Sequence, residues 1–389
     1  MPDDSLRIAV VVRVVDNFGD AGVAWRLARQ LHAEHGAEVV LWIDAPDVLA
    51  RFVRGADAPA ARVVVDGVRV QRLPPDCDAG DAPALAPWPH LVVEAFGCGL
   101  PDAWLDAMER SSRAPVWVNL EYLSAETWVE GTHGLRSPHP TRALARWFWF
   151  PGFTGRSGGL LRERDLLAQR DAFVADPAHR ARAWAEAGAA PAPADALHVS
   201  LFCYPNGAAT ALLDAWARGP RPVAALVPEG VATQAVESFA GRRVQAGTRI
   251  DRGALSLAVV PFVDQRVFDR RLWACDFSIV RGEDSFVRAQ WAASAFCWHI
   301  YPQDDDAHRA KLDAFLARFA AGLAPGASAA LIAFTHAFNA MDAPAVAAAW
   351  PGMQQALPAL RAHARRWADE LAAMPDLATQ LVDFARSRL

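Results

Sequence analysis

Short apolar runs alternate with helical stretches along this chain, and halfway through the pattern starts again, which leaves few folds open. Ile8 to Val15 is a β-branched run followed by a turn, Asp16-Asn17-Phe18-Gly19-Asp20-Ala21-Gly22, and a helix with Val23, Leu27 and Leu31 on one stripe. Glu38 to Ile43, Leu91 to Gly99, Val116 to Tyr122 and Trp147 to Phe150 read as further strands. Asp66-Gly67 between β-branched runs predicts a type I′ hairpin. Ala189 to Asp195 is a Pro/Ala connector, after which Leu197 to Tyr204, Pro222 to Pro228, Leu255 to Val263, Phe277 to Val280 and Phe296 to Tyr301 repeat the strand pattern. Strands alternating with helices give a parallel sheet covered on both faces. At 389 residues the chain is too long for one ordinary core, so two α/β domains are expected. The division is placed at 1–188 and 196–365, with 366–389 a C-terminal helix packing back on the first domain.

The stretch Arg281-Gly282-Glu283-Asp284-Ser285-Phe286 lies between a buried strand and a helical pattern. A glycine lets backbone approach a ligand closely, and the unpaired N–H groups of a new helix make an anion site that suits a diphosphate. Asp284 or Ser285 serving only as an N-cap is the plainer reading of such a turn. Phe202, Tyr204, Phe262 and Phe268 sit at strand ends where a base stacks, each stack being worth about 1–3 kcal/mol. Singly, each is ordinary core.

The opening strand, turn and helix invite a dinucleotide reading. Gly19-x-x-Gly22 lacks the first glycine of that fingerprint, and two acids crowd the turn where a pyrophosphate would sit, although Asp44 ends the second strand as a ribose-binding acid would. Glu94 and Glu121, also at strand ends, are by default acids that brace a loop.

A net charge of −5 argues against a protein that grips nucleic acid through its phosphates. Lys311 is the one lysine among many arginines and reads, with the abundant alanine, as genome bias. Cys77, Cys98, Cys203, Cys275 and Cys297 form no C-x-x-C pair, so buried reduced thiols are expected. The acidic first residues lack a signal-peptide pattern and no apolar run reaches membrane-spanning length, so a cytoplasmic protein with no membrane partner is expected. Asp304-Asp305-Asp306 contains a D-x-D, a cation-holding pattern in some sugar-nucleotide enzymes, but here it opens a helix where the dipole favours acids. His133, His139 and His299 show no ligand spacing, and no metal site is assigned.

Asp16-Asn17-Phe18-Gly19-Asp20-x-Gly22-Val23-x-Trp25-Arg26-Leu27, Asn119-Leu120-Glu121-Tyr122-Leu123-Ser124, Phe150-Pro151-Gly152-Phe153-Thr154 and Arg281 to Trp291 together resemble the EarP family. Its members are protein-arginine rhamnosyltransferases of translation elongation factor P. The resemblance runs from about Arg7 to the C-terminal helices. It implies a GT-B fold: two Rossmann-like domains facing across a cleft, with dTDP-β-L-rhamnose held mainly by the second. It further implies transfer to an arginine of elongation factor P with inversion and without metal or cofactor. By the same resemblance Asp20 is the catalytic acid-base residue and Asp16 its neighbour in positioning the acceptor. Asn17, Phe18 and Gly19 shape the sugar end. Arg281, Gly282, Glu283, Asp284 and Ser285 hold ribose and diphosphate, while Phe202, Tyr204, Phe262, Gln265 and Phe268 form the thymine pocket. Tyr301 and Gln303 match a family motif without a fixed role. Two rival readings remain: a sugar-nucleotide epimerase of the same architecture, and a non-catalytic protein that docks on elongation factor P.

The chemistry agrees with these implied roles. A guanidinium is planar, delocalised and essentially always protonated, hence a poor nucleophile in water. A paired carboxylate holds it, polarises it toward one nitrogen and takes the proton as the new bond forms.

Overall fold

The computed structural model describes residues 5–56, 62–73, 88–303 and 306–389. Two compact units divide the chain: Met1–Arg164 with Leu371–Leu389, and Asp165–Glu370.

The first unit begins β1 (Arg7–Val12), α1 (Asn17–His35), β2 (Glu38–Ile43), α2 (Pro46–Ala50), β3 (Arg62–Val65) and β4 (Val68–Arg72). It continues β5 (Leu91–Ala95), α3 (Asp102–Arg110), β6 (Val116–Leu120), α4 (Val129–Thr132), β7 (Arg136–Pro138) and β8 (Ala145–Trp149). The sheet order is β3-β4-β2-β1-β5-β6-β8-β7, parallel throughout its middle, with antiparallel pairs β3/β4 and β7/β8 closing the edges. Asp66 (φ 46°) and Gly67 (φ 79°) both lie in the left-handed region, as a type I′ turn requires. β1 stops at Val12 rather than Val15, because the N–H groups of Val14 and Val15 leave the sheet for the carboxylates of Asp44 (3.0 Å) and Asp20 (2.8 Å).

The second unit runs α5 (Leu166–Ala175), α6 (Pro177–Glu186), β9 (Leu197–Leu201), α7 (Ala208–Arg218), β10 (Val223–Pro228), α8 (Thr233–Ala240), β11 (Arg249–Arg252) and β12 (Leu255–Val260). Then come α9 (Gln265–Trp273), β13 (Phe277–Arg281), α10 (Asp284–Ala292), β14 (Ala295–His299), α11 (Ala307–Ala320), α12 (Pro325–Asn339) and α13 (Ala343–Ala372). Its sheet, β11-β12-β10-β9-β13-β14, is parallel except for the β11/β12 edge pair.

The unit boundary falls at Arg164/Asp165, ahead of the Pro/Ala connector where composition placed it. The cause is packing: Arg170 on α5 donates to the Trp291 carbonyl (2.9 Å), and Trp184 on α6 to the Ala274 carbonyl (3.2 Å). The last helix, α14 (Leu377–Arg386), belongs to the first unit. Asp376 caps it through the Thr379 N–H (3.1 Å) and accepts from Gln30 on α1 (3.0 Å), while Phe384 packs edge-on against Trp149 at 4.9 Å.

Cys203, Cys275 and Cys297 are buried free thiols and Cys98 is partly buried; burial pushes Cys203 and Cys297 up to about 12. Cys77 lies outside the described residues. Among the described residues no helix is long and apolar enough to cross a membrane.

Candidate active site

In open α/β sheets ligands meet the carboxyl ends of strands where the strand order reverses. In the first unit that point is β1, flanked by β2 and β5, and in the second it is β9, flanked by β10 and β13. Each unit carries one cluster of the expected residues at that point.

In the first unit Asp16 precedes α1, Asn17 opens it, and Asp20 lies in its first turn. Asp20 is 1% exposed; its Oδ2 accepts the N–H groups of Val15 (2.8 Å) and Asp16 (2.9 Å), and its Oδ1 accepts from the Tyr122 hydroxyl at 3.3 Å. The carboxylate is thus aimed by backbone through one oxygen, leaving the other to side-chain chemistry. The Asp16 carbonyl accepts from Gly19 N–H (2.6 Å), and a Cβ at Gly19 would stand 2.6 Å from Asp16 Oδ2, so only glycine lets that carboxylate lie against the helix. Phe18 is half-buried, edge-on to Phe52 at 6.4 Å, with the Arg51 guanidinium 5.7 Å from its ring.

Tyr122 is held in turn. Phe96 stacks on it with centroids 4.4 Å apart and planes 12° from parallel, and Phe96 itself has φ 59°. Asn119 accepts from Gly97 N–H (3.0 Å) and donates to Glu121 (2.7 Å), so Glu121 joins the same strand-end network. Glu94 is buried and accepts from Gly99 N–H (2.8 Å) and the Trp117 indole (2.9 Å), which makes it a brace. Sequence places Tyr122 at the end of a strand run and inside a motif, and Phe96 inside a strand run, without singling out either; a bulky Phe96 beside Gly97 is the one local signal.

The second cluster is contiguous. Phe202 lies 6.3 Å from Phe262 and 5.3 Å from Phe268, and Arg281 places its guanidinium 4.9 Å from the Phe202 ring and 4.8 Å from that of Tyr204. Tyr204 meets Tyr301 edge-on at 5.4 Å, and Tyr301 is 42% exposed. Gly282 takes φ 57°, a backbone that L side chains avoid, and its carbonyl accepts from the Trp298 indole at 2.8 Å. Ser285 Oγ accepts from Arg281 N–H (3.0 Å) and donates to the Arg281 carbonyl, locking the turn onto the first residues of α10. Gln265 donates to Asp284 (3.0 Å), and Lys311 reaches Glu283 at 3.4 Å. An aromatic pair, a cation, acids and a helix N-terminus therefore share one place, with the chemistry to take a base, a ribose and a diphosphate.

His299 is buried between Tyr204 (5.4 Å) and Phe338 (5.3 Å), and burial, with the charges of Arg281 and His308, pushes it down to about 3. His133 accepts from Phe150 N–H (3.2 Å) and is pushed down to about 4 by burial. Asp304 and Asp305 lie outside the described residues, and Asp306 pairs with Arg309 at 3.1 Å. Among the described residues no cluster of three or more His, Cys, Asp or Glu stands where it would hold a metal ion.

Residues 8–386 match the family described as Elongation-Factor P (EF-P) rhamnosyltransferase EarP. The chain belongs to the EarP family. It is 48% identical over 377 residues to a protein-arginine rhamnosyltransferase of Pseudomonas putida KT2440, covering 97% of each chain. With the protein-arginine rhamnosyltransferase of Pseudomonas aeruginosa PAO1 the identity is 44%, over 95% of this chain and 96% of the other. The family is one of glycosyltransferases, and this member is an enzyme of the protein-arginine rhamnosyltransferase type. A solved structure described as "Structural basis for EarP-mediated arginine glycosylation of translation elongation factor EF-P" superposes with a TM-score of 0.68 at 34% identity, over 99% of this chain and all of that one. The fold is α/β of the GT-B class. A UDP-GlcNAc 2-epimerase from Neisseria meningitidis aligns at TM-score 0.52 with 8% identity, over 98% of this chain and 99% of the other, a likeness of fold alone.

Proposed function

We propose that this EarP-family enzyme moves rhamnose from dTDP-β-L-rhamnose to an arginine side chain of translation elongation factor P, in the cytoplasm, with inversion at the anomeric carbon. The observation that carries the reading is the second unit's cluster, where Phe202 and Tyr204 meet the Arg281 guanidinium, Phe262 and Phe268 pack on Phe202, and α10 starts three residues after Arg281. Thymine stacks among the aromatics, with Gln265 meeting its polar edge. Glu283 and Asp284 take ribose hydroxyls, and the diphosphate lies against Arg281, Ser285 and the first N–H groups of α10. Asn17, Phe18 and Gly19 shape the sugar end, and Tyr301 joins the donor residues. Acceptance by elongation factor P is supported by the relative whose structure concerns that protein.

In the reaction Asp16 and Asp20 pair with the acceptor guanidinium and draw its charge toward one nitrogen. That nitrogen attacks the anomeric carbon, the bond from carbon to phosphate oxygen breaks, and the electron pair leaves with dTDP. Asp20 takes the proton released as the C–N bond forms. Arg281 and the helix N–H groups meet the charge developing on the diphosphate, so the proposed reaction uses neither a metal nor a cofactor.

Intact-mass measurement of elongation factor P after incubation with donor tests this. The expected gain is one deoxyhexose, about 146 Da by the chemistry of the linkage. No gain but a converted sugar nucleotide would select an epimerase, and no gain with unchanged donor a docking protein. Asp20→Asn is expected to abolish transfer while dTDP binding by calorimetry survives. A fully active Asp20→Asn enzyme would remove Asp20 from the chemistry.

A further inference from the structure

Lys311 is the one lysine in a chain otherwise supplied with arginine, a bias that makes arginine the default cation at any position. Its place is not neutral: from the first turns of α11 its Nζ reaches Oε1 of Glu283 at 3.4 Å, with side chains 20% and 14% exposed. Glu283 is the N-cap residue of α10, between Gly282 and Asp284. A partly buried ion pair therefore ties the turn of the donor cluster to a helix further along the chain.

We propose that Lys311 is a positioning residue for donor binding, one that sets the carboxylate of Glu283 and offsets its charge beside the diphosphate. This rests on the reading of Glu283 as a donor residue. Two arguments carry it. Glu283 and Asp284 bring two negative charges to a place that must accept a third group of negative charge; the cation of Lys311, paired with Glu283, offsets part of that charge, as does Arg281 in the same turn. Head-group shape matters as well. An ammonium is a compact charge that engages a carboxylate one oxygen at a time, whereas a guanidinium fork takes both oxygens together. A carboxylate has about four lone-pair sites, and a monodentate partner leaves acceptor capacity for vicinal hydroxyls such as those of a ribose. Arginine at position 311 would close that capacity while keeping the charge.

The test is dTDP calorimetry with donor kinetics on Lys311→Met and Lys311→Arg. Lys311→Met is expected to weaken dTDP binding by about tenfold, more than the loss of an exposed ion pair and less than that of a fully buried one. The loss should appear in donor KM, with kcat at saturating donor within about twofold of wild type, since a positioning residue for binding acts before the transition state. Lys311→Arg should not restore the affinity. Should Lys311→Met bind dTDP like wild type, or Lys311→Arg restore binding fully, the proposal is overturned. Labelling the wild-type enzyme with an N-hydroxysuccinimide acetate provides a second reading free of folding effects: the amide forms at Nζ, N-hydroxysuccinimide leaves, and buffer takes the proton. Saturating dTDP should slow acetylation of Lys311, read by peptide mass mapping, and unchanged labelling would count against the proposal. Wild-type enzyme that gave no heat with dTDP would instead sink the donor reading beneath it.

Discussion

The Tyr122 hydroxyl and the Asp20 carboxylate meet at 3.3 Å, on the oxygen that the backbone does not hold. One oxygen is fixed by two N–H groups and the other is met by a donor that can be exchanged, so Tyr122 tunes the only adjustable half of that carboxylate. Tyr122→Phe keeps the ring on Phe96 and removes the hydroxyl. A hydrogen bond to a charged group is worth about 1.5–3 kcal/mol, so if Asp20 acts in the proposed transfer to elongation factor P, its kcat should fall by at least about tenfold. dTDP affinity should not move. An unchanged kcat would show that the phenol serves packing alone.

Phe96 supports that phenol at a conformational cost. Its φ of 59° places an L side chain in the left-handed region, which disfavours it by about 1–2 kcal/mol, and its ring lies flat on Tyr122. Phe96→Ala removes the ring and keeps the strain, whereas Phe96→Gly removes both. Urea unfolding should find the glycine variant more stable than the alanine variant by about 1 kcal/mol, with both slow in transfer. Equal stabilities would mean the strain is absent.

Gly19→Ala separates stability from activity. In a helical turn alanine is favoured over glycine by up to about 1 kcal/mol, so the thermal midpoint should hold or rise. The new Cβ, though, would stand 2.6 Å from Asp16 Oδ2 and drive that carboxylate aside. If Asp16 orients the acceptor as proposed, misplacing its carboxylate should slow transfer by more than about tenfold. Full activity would mean that the position of the Asp16 carboxylate is not critical.

Local pattern carried much of this fold into view. The hairpin at Asp66-Gly67, the buried parallel strands and the glycine turn at Gly282 each declare themselves within a few residues, because turn chemistry and strand burial are local properties. The boundary at Arg164 did not, since α5 and α6 owe their unit to carbonyls at Ala274 and Trp291, about a hundred residues on. Edge strands β7 and β11 were also silent, being short, partly exposed and flanked by turns. Within the candidate site, residue types at Asp16, Asp20 and Arg281 were legible through the motifs they sit in. Partner choice was not: Tyr122 meets Asp20, and Lys311 meets Glu283, only because separate strands and helices end side by side.

His299 predicts how stability responds to acid. Its imidazole is buried and held down to about 3, while in the unfolded chain it takes its ordinary value near 6.5. The unfolded state therefore binds the proton first, so the neutral imidazole's contribution is whole above about pH 6.5 and shrinks as pH falls from there toward 3. His299→Leu removes this dependence. The difference in melting temperature between wild type and variant should change in the variant's favour from pH 7 to pH 4.5. A parallel pair of curves would show that the imidazole is not kept neutral by the fold.

Arg288 and Asp269 close a two-point ion pair, Nε to Oδ1 at 3.0 Å and Nη2 to Oδ2 at 2.7 Å, with both residues buried. It joins α10 to α9, and those helices carry Ser285 and Asp284 on one side and Gln265 and Phe268 on the other. Removing one partner strands a buried charge, so Asp269→Ala should destabilise the second unit by about 3–5 kcal/mol. Replacing both, with Asp269→Leu and Arg288→Met, takes away the desolvation cost along with the attraction, so in urea the double variant should be more stable than Asp269→Ala. dTDP affinity separates stability from alignment. If the pair holds α9 and α10 in register for the donor, the double variant will bind dTDP more weakly than wild type even where it is fully folded. If affinity is unchanged, packing alone aligns the two helices and the pair contributes only to the interior.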